Sequence, residues 1–367
     1  MSLTKAIINF FLKPREINSS KKKVFHITRY FDYNKKFGGI EEVIKQIAIH
    51  SKFNHDVLAT SDKNSKLKLD KNLTSFNFKK TISIFNDVFS VELFKYLLKN
   101  KKKYNIIHLH YPSVFGFFYI FLLPFKKNLI VTHHSDIERL RIIRLIISPF
   151  IKFMNRYINY FHISSKTYFQ NSEIRKYHLK TVFEYFSIIK PIIKKLKLNF
   201  KFKKYVLFIS RRSYYKGLDK LEHLIKINPD INFICVTDYK FTQSYKNLIQ
   251  LTNINENLKY NLIKNSRLII SLSTSRAESF GMTLIEGLFC SKPLISFNLN
   301  TGVNEIISNN RNGFLIKKFN LNQYSKRLKK IYYSDSVYKK FCANSKQSIK
   351  NFDLKYKKIN QTYHQLD

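Results

Sequence analysis

Two glutamates separated by seven residues are the acidic side chains best placed to do chemistry in this sequence. Acidic residues are scarce, since the 367-residue chain has 24 Asp and Glu against 66 Lys and Arg. The residues between Glu278 and Glu286 are Ser279-Phe280-Gly281-Met282-Thr283-Leu284-Ile285. We predict a helix that begins near Met282, which leaves the N–H groups of Gly281, Met282 and Thr283 available to an anion.

The spacing indicates separate tasks for the two carboxylates. Glu286 lies one turn, about 6 Å, along the predicted helix. At that distance from a bound diphosphate it could accept hydrogen bonds from ribose hydroxyls, while Glu278 could face a sugar. The pair also fits a simpler interpretation, in which Glu278 stabilises the helix dipole and Glu286 is a solvated residue.

Two cations follow a predicted strand over Tyr205–Ser210. Arg211 and Lys216 lie between that strand and a helix predicted to begin near Gly217. Arginine binds phosphate oxygens with two parallel hydrogen bonds and lysine acts as a point charge, so together they could hold a diphosphate. In a lysine-rich chain, solvated surface is the alternative interpretation.

A pair of histidines follows another predicted strand in the first half of the chain. In the run Thr132-His133-His134-Ser135-Asp136, a histidine at the strand end could hydrogen-bond a sugar or a phosphate. Adjacent histidines point to opposite sides and no further ligands cluster with them, so we expect no metal. A histidine that bonds a loop carbonyl is the alternative.

Short apolar strands alternate with amphipathic helices along both halves of the chain, which predicts an α/β fold with two Rossmann-like, doubly wound domains facing a central cleft. The predicted strands are 24–28, 55–59, 106–110, 129–132, 161–164, 205–210, 231–237, 268–272 and 293–297. The predicted helices are 40–49, 88–98, 137–160, 165–177, 217–227, 256–265, 282–290, 321–332 and 337–365.

The predicted organisation has five parts. They are a basic extension (1–22), an N-terminal domain that takes the acceptor (23–190), a linker (191–204), a C-terminal domain for a nucleotide-sugar (205–350), and a C-terminal helix that packs back on the N-terminal domain (351–367). Ligands of such sheets bind at the carboxyl ends of the strands, so the singled-out residues should face one cleft.

Composition narrows the functional classes. A hydrophobic content of 44% and an aromatic content of 16% exclude a disordered chain. The three cysteines have neither zinc-site nor disulfide spacing, and no apolar run has the length of a membrane span or a secretory signal. A net charge of +42 indicates anionic partners, although a compositional bias toward Lys, Asn, Ile, Phe and Tyr is a competing cause.

Several segments together resemble the retaining GT-B glycosyltransferases of family 4 (group 1). Glu278 to Glu286 is similar to the E-(x)7-E pattern of that family, and the resemblance covers about residues 23 to 350. The other segments that carry it, in order, are Gly38-Gly39-Ile40-Glu41, Thr132 to Ile137, Phe208 to Arg211 with Tyr214 to Gly217, Lys292 to Ile295, Thr301-Gly302-Val303 and Asn312-Gly313. Bacterial mannosyltransferase-like enzymes of O-antigen or other surface polysaccharide synthesis are the most similar members.

The resemblance implies a role for each segment. A nucleotide-diphosphate sugar would bind with Arg211 and Lys216 on the diphosphate and Glu286 on the ribose. Glu278 and the backbone from Phe280 to Thr283 would surround the sugar and phosphate. His134 would act from the opposite domain, with His133 as the alternative, and Gly38 and Gly39 would form the loop near the donor phosphate.

The resemblance also implies transfer of a hexose, with mannose as the candidate, to a glycan or lipid-linked acceptor, with retention of configuration. No two Asp are separated by one residue, so the Asp-x-Asp metal signature of the other large glycosyltransferase fold is missing from the sequence. We therefore expect no cofactor and no metal, with the leaving group stabilised by cations and the helix N-terminus.

Two other functions remain compatible with the sequence. A nucleic-acid-binding protein would account for the net charge, but the cations are spread along the chain without a zinc-finger or RNA-binding signature, so no nucleic acid is expected. An epimerase of the same architecture would isomerise a nucleotide-sugar instead of transferring it.

A basic stripe predicts peripheral attachment to an anionic membrane, which places the protein in the cytoplasm on the inner face of the cell membrane. On the helix predicted over 137–160, four cations fall within about 120° of arc. They are Arg141, Arg144, Lys152 and Arg156, bordered by Ile142, Ile146 and Phe153. Cations near an acidic leaflet each contribute about 1 kcal/mol.

Overall fold

The computed structural model describes most of the chain. The described residues are 22–31, 38–84, 87–123, 128–137, 149, 152–176, 180–188, 191–241, 243–352 and 355–366. Residues 1–21, most of the predicted extension, lie outside them, and so do Arg141 and Arg144 of the predicted basic stripe. Among the described helices, none is both long and apolar enough to cross a membrane.

The first half of the chain forms a sheet whose strand order is β10-β9-β8-β7-β1-β2-β4-β3. Its pairings are parallel except for the antiparallel pair β3 and β4. A separate two-stranded hairpin is made by β5 and β6. The strands are β1 Lys23–Ile27, β2 Asn54–Ser61, β3 Ser65–Asp70, β4 Leu73–Lys79, β5 Ile82–Ile84, β6 Asp87–Phe89, β7 Ile106–Tyr111, β8 Asn128–His133, β9 Ile158–Ile163 and β10 Thr181–Phe183.

The second half forms a fully parallel sheet with the order β13-β12-β11-β14-β15-β16. Its strands are short apolar runs, as expected where helices cover both faces of a parallel sheet. They are β11 Val206–Ile209, β12 Phe233–Val236, β13 Leu248–Leu251, β14 Leu268–Ser271, β15 Leu294–Phe297 and β16 Gly313–Ile316. Both halves thus have the alternating α/β character predicted from the sequence.

Helices connect the strands in both halves. In the first half they are α1 Gly39–Ile49, α2 Val91–Asn100, α3 Val114–Phe121 and α4 Lys166–Gln170. In the second half they are α5 Leu218–Lys226, α6 Glu256–Asn265, α7 Met282–Phe289, α8 Val303–Ile306, α9 Leu321–Tyr333, α10 Asp335–Ser348 and α11 Lys357–Gln365.

Two predicted helices of the first half are wrong at one end. Residues 158–160 belong to β9, where Ile158 pairs with Leu129 of β8, so the helix predicted over 137–160 cannot reach Tyr160. Arg156 lies in a short 3-10 helix just before that strand, so it leaves the predicted stripe. The helix predicted over 88–98 begins at Val91, after β6, where the Ser90 hydroxyl accepts a bond from the Leu93 N–H.

Two further predicted helices are interrupted. In place of a helix over 165–177, α4 ends at Gln170 and a 3-10 turn covers 173–176. In place of one helix over 337–365, α10 ends at Ser348 and α11 begins at Lys357. Tyr356 has a φ of +48°, which no helix can continue through.

The last helix returns to the first sheet. Glu184, just after β10, accepts hydrogen bonds from the N–H groups of Lys358 (2.8 Å) and Ile359 (3.0 Å) at the start of α11. Further along, the Tyr363 hydroxyl lies 2.5 Å from His108 Nδ1 of β7. The buried carboxylate at the helix N-terminus therefore anchors α11 beneath the N-terminal sheet.

We expect Glu184→Ala to lower the free energy of unfolding by about 2 kcal/mol, because two helix N–H groups lose a charged acceptor. Urea denaturation measures the change. Glu92→Ala is the matched control, since Glu92 is an exposed acid in the first turn of α2. Equal losses in the two variants would contradict the anchoring role of Glu184.

Candidate functional site

A cleft of about 1620 Å³ lies between the two halves, at the carboxyl ends of their strands. In the second sheet, the chain runs from β11 outward to β12 and β13 on one side. It then returns to β14, on the other side of β11, and continues outward to β15 and β16. In the first sheet, β1 is likewise flanked by β2 and β7. Ligands of doubly wound sheets bind at such switch points, and both switch points face this cleft.

Lys216 and Glu278 form an ion pair at the C-terminal wall of the cleft. Lys216 Nζ lies 2.5 Å from Glu278 Oε2, which also accepts a bond of 2.7 Å from the Ser273 hydroxyl. Burial alone would raise the pKa of Glu278, but the Lys216 ammonium outweighs it and holds the pKa below its ordinary value. Glu278 is therefore ionised, and Lys216 carries its full charge beside it.

Glu286 has a different partner, Lys259 of α6, at 2.7 Å. Here burial is the larger effect, so the pKa of Glu286 is raised even though the Lys259 ammonium opposes it. Lys259 lines the cleft but was absent from the sequence prediction. A lysine inside an ordinary helix gives no local signal, and only the packing of α6 against α7 brings it to Glu286.

Arg211 meets the N-terminal half across the cleft. A Cβ atom on Gly38 would lie 3.2 Å from Arg211 Nη1 and 2.6 Å from Glu41 Oε2. Burial raises the pKa of Glu41, and the Arg211 charge partly offsets the rise. Gly38 therefore leaves space in which Arg211 and Glu41 approach each other, and a side chain there would displace one of them.

The N-terminus of α7 opens into the same cleft. Gly281, directly before the helix, has a φ of +96°, a conformation that glycine adopts without strain. Leu284 and Ile285 donate to the Gly281 carbonyl, so the N–H groups of Met282 and Thr283 precede the first helical bond. A Cβ atom on Gly39 would lie 3.5 Å from Met282 Cγ, which puts the two loops in contact.

Phe280 differs from the other residues of this loop. Its side chain is buried at 2% exposure, and its ring centroid lies 5.4 Å from that of Phe186 and 6.0 Å from that of Tyr185. The ring therefore packs the loop against the end of the first domain, and the part of Phe280 left to face a ligand is its backbone.

His134, rather than His133, lines the cleft. His134 Nε2 lies 2.9 Å from His110 Nδ1, and burial holds the pKa of His134 well below its usual range. The His133 ring stacks on Tyr111 at 5.0 Å, and its Nε2 lies 3.3 Å from Asp136 Oδ1. The two rings thus point to opposite sides, as predicted for adjacent histidines.

Contacts between the halves border the cleft on one side. Glu305 accepts bonds from the Ser165 hydroxyl (2.7 Å) and the Thr167 N–H (2.6 Å). Arg276 donates to the Tyr168 carbonyl at 3.2 Å. None of these residues was predicted to be functional, because long-range polar pairs leave no pattern in the sequence.

The structure brings all eleven predicted site residues to this one cleft. Three come from the first half, namely Gly38, Gly39 and His134, and Arg211 follows β11 of the second half. The others are Lys216, Glu278, Phe280, Gly281, Met282, Thr283 and Glu286. Proximity is what the structure establishes, and the individual roles assigned from the sequence stay predictions.

The family profile described as Glycosyl transferases group 1 matches residues 190–348, the part of the chain that contains β11 through α10. Residues 190–348 are a group 1 glycosyltransferase domain. The match includes Arg211, Lys216, Glu278 and Glu286, whereas Gly38 and His134 lie outside it.

Curated relatives match over most of the chain. D-rhamnosyltransferase WbpZ of Pseudomonas aeruginosa is 24% identical over 326 residues, which are 80% of this chain and 82% of that protein. O-antigen chain mannosyltransferase C of Escherichia coli is 25% identical over 315 residues, 80% of this chain and 84% of that protein.

Solved structures with the GT-B fold superpose on the chain over most of its length. Sucrose-phosphate synthase of Thermosynechococcus elongatus superposes with a TM-score of 0.76 at 13% identity, covering 94% of this chain and 98% of that one. Anabaena Alr3699/HepE, solved with UDP and glucose, gives a TM-score of 0.74 at 16% identity, with coverages of 94% and 98%. The predicted two-domain GT-B fold is confirmed.

We expect Lys216→Met to lower the free energy of unfolding by about 3 kcal/mol, because it leaves the Glu278 carboxylate buried without its counter-charge. In the wild type the pKa of Glu278 lies below its ordinary value of 4.5, so the pair stabilises the fold above that pH and the stabilisation is lost as the pH falls through the lowered value. The deficit of the variant should therefore shrink on acidification.

Denaturation curves between pH 2 and pH 8 measure this difference. Adding Glu278→Gln to Lys216→Met should recover part of the loss, since the buried side chain is then neutral. Lys80→Met is the control, because Lys80 pairs with Asp62 at the surface. A deficit that does not change with pH would contradict the pairing.

Proposed function

We propose that this protein is a retaining hexosyltransferase that moves a hexose, with mannose as the candidate, from a nucleotide-diphosphate sugar to a glycan or lipid-linked acceptor in surface polysaccharide synthesis. The observation that carries the proposal is a pair of largely buried carboxylates, Glu278 just before α7 and Glu286 one turn into it, each paired with its own lysine. The name of one curated relative, O-antigen chain mannosyltransferase C, supports the polysaccharide setting.

Different regions of the cleft suit the diphosphate, the ribose and the sugar of a donor. Arg211, Lys216 and the N-terminus of α7 surround a space that suits the diphosphate. Glu286, one turn further along α7, would accept hydrogen bonds from the ribose, and the raised pKa of its carboxyl suits a group that exchanges bonds with neutral hydroxyls. Glu278 and the backbone from Phe280 to Thr283 would lie beside the sugar.

The chemical step needs a leaving group whose charge is stabilised. The bond between the anomeric carbon and the diphosphate oxygen breaks, the acceptor oxygen bonds to the same face of that carbon, and the departing phosphate takes the acceptor proton. Negative charge grows on the diphosphate, where Arg211, Lys216 and the helix N-terminus can neutralise it. We propose on this basis that transfer requires neither a metal nor a cofactor.

Binding and turnover assays test the proposed activity. A thermal-shift screen against GDP, UDP and ADP sugars should find a donor, since a ligand at 100 times its dissociation constant stabilises by about 2.7 kcal/mol. The selected donor should then label an acceptor in a bacterial glycan or lipid extract without added metal. Isomerisation of the donor without acceptor, or tight nucleic-acid binding with a steep salt dependence and no donor binding, would contradict the proposal.

We expect Glu286→Gln to raise the Michaelis constant for the donor about tenfold or more, because the loss of a charged hydrogen bond costs about 1.5 to 3 kcal/mol. Steady-state kinetics measures the change. Asn257→Asp in α6 adds a carboxylate on the same helix as Lys259 and serves as a control for general charge effects. An unchanged Michaelis constant in Glu286→Gln would remove the ribose role.

We also propose that the protein attaches peripherally to the inner face of the cell membrane. Exposed aromatic side chains of α3 and of residues 153–157 lie together, with the Phe121 and Phe153 rings 5.9 Å apart and the Phe153 and Tyr157 rings 5.5 Å apart. Lys152 and Arg156 are exposed beside them. Aromatic groups bordered by cations suit an acidic lipid interface.

We expect the wild type to sediment with anionic vesicles and not with neutral ones. Phe121→Ser combined with Phe153→Ser should release it, and so should replacement of Lys152 and Arg156 by Gln. Tyr333→Ser is the matched control, because Tyr333 is an exposed aromatic residue of α9 in the other half. Equal sedimentation of all variants would exclude this face as the anchor.

A further inference from the structure

Four histidines form a row of adjacent imidazoles that ends at the cleft. His55 Nδ1 lies 2.7 Å from His26 Nε2, and His26 Nδ1 lies 2.9 Å from His110 Nε2. His110 Nδ1 then lies 2.9 Å from His134 Nε2. The side chains come from β2, β1, β7 and the loop after β8, which are consecutive in the sheet, so the row crosses the sheet from His55 to the cleft.

All four rings are buried, and this keeps them neutral. His26 and His55 have no exposed surface, while His110 and His134 are 1% and 6% exposed. Burial lowers the pKa of each ring, to about 3 for His55 and well below the usual range for the other three. A neutral imidazole donates from one nitrogen and accepts at the other, so every hydrogen bond of the row must point the same way.

The environment of His55, at the end of the row away from the cleft, decides whether the rings carry their protons on Nδ1 or on Nε2. His55 Nε2 is buried and has no hydrogen-bond partner among the described residues. If each ring carried its proton on Nε2, this end would be an orphaned buried N–H. If each ring carries its proton on Nδ1, the end is an unused lone pair. Buried N–H groups without partners are the rarer of the two.

With protons on Nδ1 throughout, the cleft end of the row is a donor. His134 Nε2 is occupied as an acceptor by His110, which leaves Nδ1 as the nitrogen of His134 that can serve a ligand. We infer that His55, His26 and His110 position His134 and fix its tautomer, so that His134 donates a hydrogen bond from Nδ1 to a sugar or phosphate oxygen instead of accepting a proton. The identity of that ligand rests on the proposed function, whereas the tautomer does not.

A bound metal is the competing use of the same side chains. One nitrogen from each of His26, His108 and His110 lies within 4.8 Å of the others, with no ion in the structure. Both ring nitrogens of His26 and of His110 already belong to the row. His108 bonds the hydroxyls of Tyr363 (2.5 Å) and Thr132 (2.6 Å). A metal would take lone pairs that these bonds use, so the two arrangements exclude each other.

Two-bond ¹H–¹⁵N NMR of histidine-labelled full-length protein reads the tautomers directly. The expected spectrum has neutral rings protonated on Nδ1 at His26, His55, His110 and His134, with each signal assigned by single replacement. A proton on Nε2 of His134, a charged His134 ring, or stoichiometric metal in the purified protein would overturn the inference.

Replacement of the ring that donates to His134 tests the coupling. His110→Leu removes the N–H that keeps His134 Nε2 an acceptor, so it should give a mixture of His134 tautomers and about a tenfold lower turnover at an almost unchanged donor Michaelis constant. The matched control is His162→Leu, because His162 is equally buried in β9 but bonds Thr132 outside the row. It should leave the His134 tautomer unchanged.

The outcomes separate this inference from the proposed function. An unchanged tautomer and turnover in His110→Leu would overturn the inference even if donor transfer is measured. A uniform Nδ1 row in a protein that binds no donor would support the row and contradict only the proposed activity. Should His110→Leu fail to fold, the wild-type spectrum still decides which tautomer His134 carries.

Discussion

A buried carboxylate needs a positive partner, and the contact between Lys216 and Glu278 at 2.5 Å meets that need where the C-terminal sheet changes direction. Lys216 follows β11 and Glu278 follows the neighbouring strand β14, so the ion pair joins the two loops at the switch point. That junction links the loop that carries Arg211 and Lys216 to the loop that leads into Gly281 and α7.

The cations described in the cleft lie beside carboxylates, so the cleft does not share the large positive excess of the whole chain, whose net charge is +42. Lys216 and Lys259 each contact a glutamate, and Arg211 lies beside Glu41. A diphosphate entering this cleft would therefore compete with carboxylates for cations that are already in place. Such an arrangement is preorganised for an anion without creating a strongly positive surface, which argues for a defined small ligand over a polyanion.

The sequence predicted most of the C-terminal sheet because its strands are short apolar runs bounded by polar loops. It also placed the start of α7 correctly from Gly281 and the following apolar spacing. It did not reveal β3 to β6, β10, β13 or β16, or the end of the helix predicted over 137–160. Most of these strands are short or mostly exposed and have weak patterns, and polar residues interrupt the apolar run of β4. Lys259 and the row behind His134 were equally hidden, because they depend on which strands and helices are neighbours in space.

The central claim is that the cleft recognises a nucleotide through its diphosphate. Calorimetric titration with a nucleoside diphosphate, the corresponding monophosphate and the free nucleoside measures this most directly. The account predicts that affinity falls by at least about tenfold at each loss of a phosphate, since each charged contact contributes roughly 1.5 to 3 kcal/mol. Equal affinities for the diphosphate and the nucleoside would contradict it.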